Sequence, residues 1–182
     1  MRQITIKLDV DGVLRDCVTP LLKEYNKKYG EDVKYEDVKG WDIGAYIPKD
    51  PHYAKYFTDY PEKIFRDAPM YNPRTAEILS KIQKHYKIHI VTHQFKGLEG
   101  HTVEWLHKNN IPYDAISFAK DKSSIDGMIL VDDAIHNLEA SNSNYNICFT
   151  QPWNTDYKGM RVDSLEGLAN MLSVHSKEDL LE

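Results

Sequence analysis

Two pairs of aspartates lie far apart in the sequence, and each pair follows a short segment with the pattern of a β-strand. Asp9 and Asp11 are separated by one valine, whereas Asp132 and Asp133 are adjacent. A carboxylate can attack phosphorus, exchange protons with a substrate or water, and bind a hard cation such as Mg²⁺ through oxygen. Four such groups in one place would therefore suit phosphoryl-transfer chemistry around a magnesium ion.

Hydrolysis of a phosphate monoester is very slow in water, so a site needs a nucleophile, a proton donor, a cation and positioning groups. We predict that Asp9 is the nucleophile and forms an aspartyl-phosphate. Asp11 would protonate the leaving oxygen and then activate water as a base. Asp9 and Asp132 are predicted to hold Mg²⁺. Asp133 would contact the ion through a water molecule or support the residues that bind the ion directly.

Three further residues are candidates for binding the phosphate group. Thr92, at the end of a predicted strand, can donate its hydroxyl and its backbone N–H to a phosphoryl oxygen, and His93 beside it is assigned to the same group. Lys122 can neutralise the charge that develops in the transition state.

Each motif alone has a simpler explanation. An Asp-x-Asp-Gly sequence is common in turns and calcium loops, although the distant Glu of an EF-hand loop is absent here. Asp132 and Asp133 could cap a helix, Thr92 could be an ordinary strand-end hydroxyl, and Lys122 could be a solvated surface lysine. Their joint occurrence at strand ends favours the functional interpretation.

The elements that would position these residues alternate between strand and helix, which predicts an open parallel sheet with right-handed crossovers. Strands are predicted at 4–8, 87–91, 115–118, 127–131 and 147–149. Helices are predicted at 19–29, 72–85, 98–109, 134–141 and 164–172. Ligands bind beyond the carboxyl ends of the strands in such folds, and the candidate residues all fall at such ends.

The segment 30–71 is interrupted by glycine and proline, so short helices and loops are expected there rather than sheet. The helix before it is predicted to start at Thr19 and Pro20, with the Thr19 hydroxyl as its cap, and to end at Gly30. The last helix is predicted to be capped by Ser164.

The composition of the 182-residue chain limits the classes of protein it can belong to. With 41% hydrophobic and 28% charged residues it resembles a globular protein, and no apolar run is long enough to span a membrane. Cys17 and Cys148 do not suggest a disulfide framework, so a cytoplasmic location is expected. The net charge of −5 argues against polymeric nucleic acid as a partner. The oligomeric state is left open.

The four ordered motifs resemble those of the haloacid-dehalogenase (HAD) superfamily: Asp9-Val10-Asp11-Gly12-Val13, Thr92, Lys122 and Asp132-Asp133. This resemblance implies a HAD-type, Rossmann-like parallel sheet with helices on both faces and a small, mainly helical cap inserted after the first strand. The expected division is a core at 1–15 and 72–182 and a cap at 16–71. The resemblance also places the backbone carbonyl of Asp11 in the Mg²⁺ shell, and the second Asp points to phosphatases rather than dehalogenases.

Within that superfamily the chain is most similar to the 5′(3′)-deoxyribonucleotidases, which remove phosphate from deoxynucleoside monophosphates. The similarity rests on Gly40-Trp41, on the stretch 65–69, on Thr150-Gln151-Pro152-Trp153-Asn154, and on the ten-residue offset between Lys122 and Asp132. It implies a second phosphate contact from Lys120.

The segment that would form the cap is rich in aromatic residues, and some of these could stack on a base. Trp41, Phe57 and Phe65 are the candidates. Two alternatives stay open: a HAD phosphatase for a sugar phosphate or another small phosphorylated metabolite, and a signalling module that is phosphorylated on aspartate.

Overall fold

A computed structural model describes residues 3–172 and contains a six-stranded parallel sheet, which confirms the predicted fold class. The strands are β1 (Thr5–Leu8), β2 (Lys87–Thr92), β3 (Ala115–Phe118), β4 (Ile129–Asp132), β5 (Tyr145–Phe149) and β6 (Met160–Val162). Their order is β3-β2-β1-β4-β5-β6, so β1 and β4 are neighbours at the centre. The strand β4 is buried along its whole length, as its apolar sequence predicts for a central strand.

Helices cover both faces of this sheet. They are α3 (Thr75–Gln83), α4 (Glu99–Lys108), α5 (Ile135–Ala140) and α6 (Leu165–Met171), whereas α1 (Val18–Tyr29) and α2 (Ala54–Asp59) belong to the segment between β1 and α3. Ile6 and Leu8 of β1 point into the larger apolar cluster, which contains side chains from α3, α4 and α6. On the opposite face Leu130 and Cys148 pack with Leu138 of α5. The alternation of side chains along the strands therefore supplies two apolar surfaces, and helices cover both.

The segment between β1 and α3 has its own apolar cluster. Its buried members are Val18, Leu21, Leu22, Tyr25, Val38, Ile47, Tyr56, Ile64 and Phe65. Beyond α1 it consists of the helix α2, short 3₁₀ turns and one π-helical turn at Glu62–Arg66, in agreement with the prediction of short helices and loops. The division into a core and a cap at 15/16 and 71/72 stays a prediction, and its outer bounds extend beyond the described residues.

The chain enters and leaves this segment side by side. The N–H of Asp16 donates to the carbonyl of Pro69 at 2.9 Å, and the N–H of Tyr71 donates to the carbonyl of Leu14 at 3.1 Å. These bonds hold the two connecting segments of the chain together, directly beside the loop that follows β1.

One local prediction was wrong, and one strand was not predicted. Thr19 does not cap α1, because the helix already begins at Val18 and the carboxylate of Asp16 accepts from the N–H groups of Val18 and Thr19. The strand β6 was not predicted, since three residues are too few for an alternating pattern to be recognised. The cap of α6 was predicted correctly, as the Ser164 hydroxyl accepts from Gly167 N–H. Within residues 3–172, no helix has both the length and the apolar character that a membrane span requires.

Candidate active site

Three buried carboxylates meet where the two central strands end. Asp9 follows β1 and Asp132 is the last residue of β4, and the N–H of Asp9 donates to the carbonyl of Val131 across the strand pair at 3.1 Å. Asp9, Asp132 and Asp133 each offer an oxygen, and these oxygens lie within 4.8 Å of one another. The parallel pairing of β1 with β4 thus brings together groups that are more than a hundred residues apart in the sequence.

Lys122 lies between two of these carboxylates. Its Nζ is 2.9 Å from Asp9 Oδ2 and 2.6 Å from Asp132 Oδ2, and the residue is only 3% exposed. Burial opposes the charged form of Lys122, but the charges of Asp132 and Asp9 outweigh it and raise the pKa of the ammonium group. The lysine therefore stays charged and compensates part of the negative charge of the cluster.

The remaining negative charge makes the cluster suitable for a divalent cation. When all three carboxylates are ionised they face one ammonium group, and two negative charges are then without compensation inside a buried site. Burial raises the pKa of Asp9, and it raises the pKa of Asp133 well above the usual range, with the charge of Asp132 acting in the same direction. An all-oxygen donor set of this kind fits Mg²⁺, which binds through a few carboxylates and keeps several waters.

The backbone of the loop after β1 is shaped by Gly12. This residue has φ of +78°, and a Cβ atom at its position would lie 2.1 Å from Asp133 Oδ2. Only glycine allows this conformation together with such a close approach. Val10 N–H donates to Asp9 Oδ1 at 2.8 Å and so fixes the direction of that carboxylate.

Asp11 lines the same cavity as Asp9, but its carboxylate is held by other partners. Arg15 donates to both of its oxygens, at 2.7 and 3.0 Å, and Gln94 Nε2 donates to Oδ2 at 2.7 Å. The side chain of Asp11 is not a member of the group of three carboxylates. The position at the cavity wall is compatible with proton exchange with a bound substrate.

Thr92 is the last residue of β2 and is almost completely buried. Its hydroxyl has no hydrogen-bond partner among the described residues. A buried hydroxyl without a partner is costly, so this group is suited to donate to a ligand oxygen in the cavity. His93 and Lys120 also line the cavity, and both are exposed. Partial desolvation of the His93 ring at the cavity wall, followed by the charges of Lys120 and Lys122, lowers its pKa.

The cavity has a volume of about 340 Å³ and a partly aromatic wall. Phe57 lies between Phe65 and Phe95, with ring centroids 5.4 and 5.5 Å away. Trp41 is 54% exposed and packs edge-on against His136, with centroids 4.9 Å apart. The three aromatic residues predicted from the sequence therefore all border the cavity that is also lined by Asp9 and Asp133.

Several residues of this cavity or its supports were not assigned a role from the sequence: Arg15, Gln94, Phe95, His136, Asn137 and Trp153. Asn137 Nδ2 donates to Asp132 at 3.1 and 3.2 Å, and Trp153 Nε1 donates to Asp133 at 2.8 Å. Of these residues, only Trp153 lies in a segment, 150–154, on which the family resemblance in the sequence was based. Cys17 also borders the cavity, but burial raises the pKa of its thiol well above the usual range, so it does not supply a thiolate nucleophile.

Comparison with known proteins identifies both the fold and the family. Residues 2–178 match the family model described as 5′ nucleotidase, deoxy (Pyrimidine), cytosolic type C protein. The chain is 27% identical over 172 residues to a 5′(3′)-deoxyribonucleotidase of Bacillus subtilis, which covers 92% of this chain and 97% of that protein.

Solved structures with low sequence identity share the fold. A haloacid dehalogenase-like family hydrolase from Streptococcus pneumoniae has a TM-score of 0.66 at 14% identity and covers 93% of this chain and 98% of its own. The HAD-hydrolase YfnB from Bacillus subtilis, whose structure is bound to magnesium, has a TM-score of 0.61 at 12% identity and covers 95% and 100%. Together with the family match, these similarities show that the chain belongs to the deoxy-type 5′-nucleotidase family and is a HAD-like phosphoric monoester hydrolase.

Proposed function

We propose that this chain is a magnesium-dependent phosphomonoesterase that releases phosphate from deoxynucleoside or ribonucleoside monophosphates through a phospho-Asp9 intermediate. One observation carries the proposal: a single cavity is lined both by Asp9, Asp133, Lys122 and Thr92, and by a group of aromatic rings. The polar groups suit a phosphate, whereas flat apolar surfaces suit a nucleobase.

In the first step a carboxylate oxygen of Asp9 attacks phosphorus, and the bond to the leaving oxygen breaks while Asp11 donates a proton to that oxygen. In the second step Asp11 takes a proton from water, whose oxygen attacks phosphorus and releases Asp9. Asp9, Asp132 and the backbone carbonyl of Asp11 would hold Mg²⁺, with Asp133 as a direct or water-mediated partner. Bound Mg²⁺ would reduce the repulsion between the carboxylates and the phosphate and polarise the phosphoryl oxygens.

The phosphate group would be positioned by residues from two segments, one at the end of β2 and one after β3. Thr92 supplies the buried hydroxyl without a partner, and Lys122 supplies a fixed positive charge beside Asp9. His93 and Lys120, which are more exposed, would contact the outer phosphoryl oxygens. These donors would bind most strongly when charge accumulates on the phosphoryl group in the transition state.

The base would lie against the aromatic wall formed by Phe57, Phe65 and Phe95, with Trp41 as a more exposed neighbour. Most of these rings come from the segment 16–71, which we propose acts as a cap over the site. The name of the Bacillus subtilis relative, a 5′(3′)-deoxyribonucleotidase, supports a deoxynucleotide as the preferred substrate.

A substrate panel tests the proposal. Phosphate release is measured with Mg²⁺ from dTMP, dUMP, their ribose counterparts, 3′-nucleotides and glucose 6-phosphate. We expect nucleotides to be preferred, Asp9→Asn to abolish turnover, and Asp163→Asn, which changes an exposed aspartate, to leave it unaltered. Equal rates on all compounds would contradict the nucleotide assignment. A phospho-Asp9 that persisted for minutes would instead support a signalling role.

A further inference from the structure

Arg15 is a completely buried cation for which the proposed reaction has no direct use. It lies four residues after Asp11, and its side chain is 0% exposed. Arg15 Nε donates to Asp11 Oδ1 at 2.7 Å, and Nη2 donates to Asp11 Oδ2 at 3.0 Å. Such a two-point contact fixes both the position and the plane of a carboxylate, which a single contact does not.

The guanidinium group itself is held from the other side. Nη1 donates to the carbonyl of Phe65 at 3.1 Å, and Nη2 donates to Thr102 Oγ1 at 2.9 Å. Its central carbon lies 5.1 Å from the ring centroid of Phe65 and 5.4 Å from that of Trp105. Arg15 therefore cannot turn without losing contacts to α4 and to the aromatic wall of the cavity.

Asp11 has one buried side and one side toward the cavity. Arg15 approaches from the buried side, since it does not line the cavity, whereas Asp11 and Gln94 do. Gln94 Nε2 adds a third contact to Oδ2 at 2.7 Å. Each carboxylate oxygen has two lone-pair directions. Because Oδ2 already accepts from Arg15 and Gln94 and Oδ1 accepts only from Arg15, one direction on Oδ1 is left for a proton.

We propose that Arg15 is a positioning residue that orients the carboxyl group of Asp11 toward the leaving oxygen of the substrate. This inference rests on the proposed function, in which Asp11 donates a proton in the first step and accepts one from water in the second. Arg15 neither gains nor loses a proton in either step. Its contact with Phe65 also connects the proton donor to the surface that would hold the base.

The leaving group offers a readout that a purely structural role would not affect. A nucleotide or sugar phosphate expels an alkoxide, which needs a proton, whereas p-nitrophenyl phosphate expels a stable anion that does not. The specificity constant kcat/KM reports the first irreversible step, which is transfer of the phosphoryl group to Asp9. A misdirected Asp11 should therefore slow the alkyl phosphate far more than the aryl phosphate.

The experiment compares wild type, Arg15→Met and Arg15→Lys with Mg²⁺ on p-nitrophenyl phosphate and on the best alkyl substrate among dTMP, dUMP and glucose 6-phosphate. For Arg15→Met we expect kcat/KM on the alkyl phosphate to fall about 100-fold, the scale of lost acid catalysis. The loss on p-nitrophenyl phosphate should stay within about threefold, because no proton is needed there. Arg15→Lys keeps the positive charge but cannot make the two-point contact with Asp11. Its selective loss of kcat/KM on the alkyl phosphate should therefore be smaller than that of Arg15→Met. If Arg15→Met does not fold, Arg15→Lys decides the question.

Two further variants separate the possible outcomes. Arg74→Met removes an exposed arginine that also grips a carboxylate, that of Glu77 at 3.0 and 2.9 Å, and should change neither activity. Asp11→Asn should reproduce the selective loss on the alkyl phosphate. Equal losses on both substrates in the folded Arg15 variants, or no loss, would overturn the role of Arg15. A wild-type chain inactive on every compound would contradict the proposed function instead.

Discussion

The indole N–H of Trp153 donates to Asp133 Oδ2 across 2.8 Å and thereby connects the loop after β5 to the carboxylate cluster. Asp133 is almost fully buried, and Gly12, which lies against its carboxylate, has no side chain that could direct it. Trp153 also packs against Tyr35, with ring centroids 5.6 Å apart. The orientation of Asp133 therefore depends on a residue outside the four motifs.

Replacing Trp153 with Phe should weaken the response to Mg²⁺, because the ring is kept but the hydrogen bond to Asp133 is lost. Groups that orient metal ligands typically contribute about 10- to 100-fold in metal affinity or activity, so the Mg²⁺ concentration for half-maximal rate should rise on that scale. Phosphate release measured over a Mg²⁺ titration checks this. Thermal unfolding in chelator serves as the control, since the Phe ring can still contact Tyr35. An unaltered Mg²⁺ dependence would show that Asp133 is oriented without Trp153.

Replacing Lys122 with Met should affect both turnover and stability, because Asp9 and Asp132 would then face each other without the ammonium group. We expect kcat to fall by about 10² to 10³, the range seen when one transition-state donor is removed. Without metal, the free energy of unfolding should fall by about 3–5 kcal/mol, as for a buried pair that loses one member. Urea unfolding in chelator and steady-state kinetics provide the two measurements.

A surface lysine gives the matched control for that variant. Lys108 contacts Asp67 at 3.0 Å, but the lysine side chain is 61% exposed. Exposed pairs contribute about 0–1 kcal/mol, so Lys108→Met should leave stability and kcat nearly unaltered. Similar effects of the two substitutions would mean that the buried position of Lys122 has no special importance.

The raised pKa of Asp133 predicts a pH-dependent effect of Asp133→Asn in the metal-free chain. Because the pKa of this acid is higher in the folded than in the unfolded state, the folded state binds more protons. The stability contribution of Asp133 is thus fully present below its unfolded pKa of about 4 and is lost as the pH rises toward the folded value. Asp133→Asn should therefore raise the melting temperature, relative to wild type, more at pH 8 than at pH 5. The comparison is made in chelator, and Asp163→Asn should show no such difference.

The main elements and the convergence of the aspartates could be anticipated because local patterns encode them. The apolar run that forms β4 ends at Asp132, and the carboxyl ends of parallel strands share one edge. Burial was harder to predict. Alternation puts Lys7 on the opposite face from Ile6, yet it does not reveal that this lysine is fully buried, with the carbonyls of Lys122 and Ile125 and the side chain of Asn142 as acceptors.

Arg15 and Gln94 illustrate why the rest of the site could not be predicted. A single charged residue after a glycine turn usually lies in solvent, and nothing in the sequence brings Thr102 close to Arg15 or Gln94 close to Asp11. Their contacts depend on how α4 and the loop after β2 pack against the loop after β1. Tertiary packing of this kind leaves no periodic signal in the sequence, so only the three-dimensional structure reveals which polar residues support the predicted ones.

Replacing Phe57 with Leu tests whether the aromatic wall binds a base. Phe57 lies between Phe65 and Phe95, and Leu keeps an apolar side chain there but cannot stack. Base stacking contributes about 1–3 kcal/mol, so KM for dTMP should rise about tenfold with kcat within about twofold. KM for glucose 6-phosphate, which has no base, should stay within about twofold, because the phosphate contacts are unaffected. Steady-state kinetics with both compounds checks this. An equal rise in KM for the two would mean that Phe57 shapes the cavity as a whole, and that the base is recognised elsewhere.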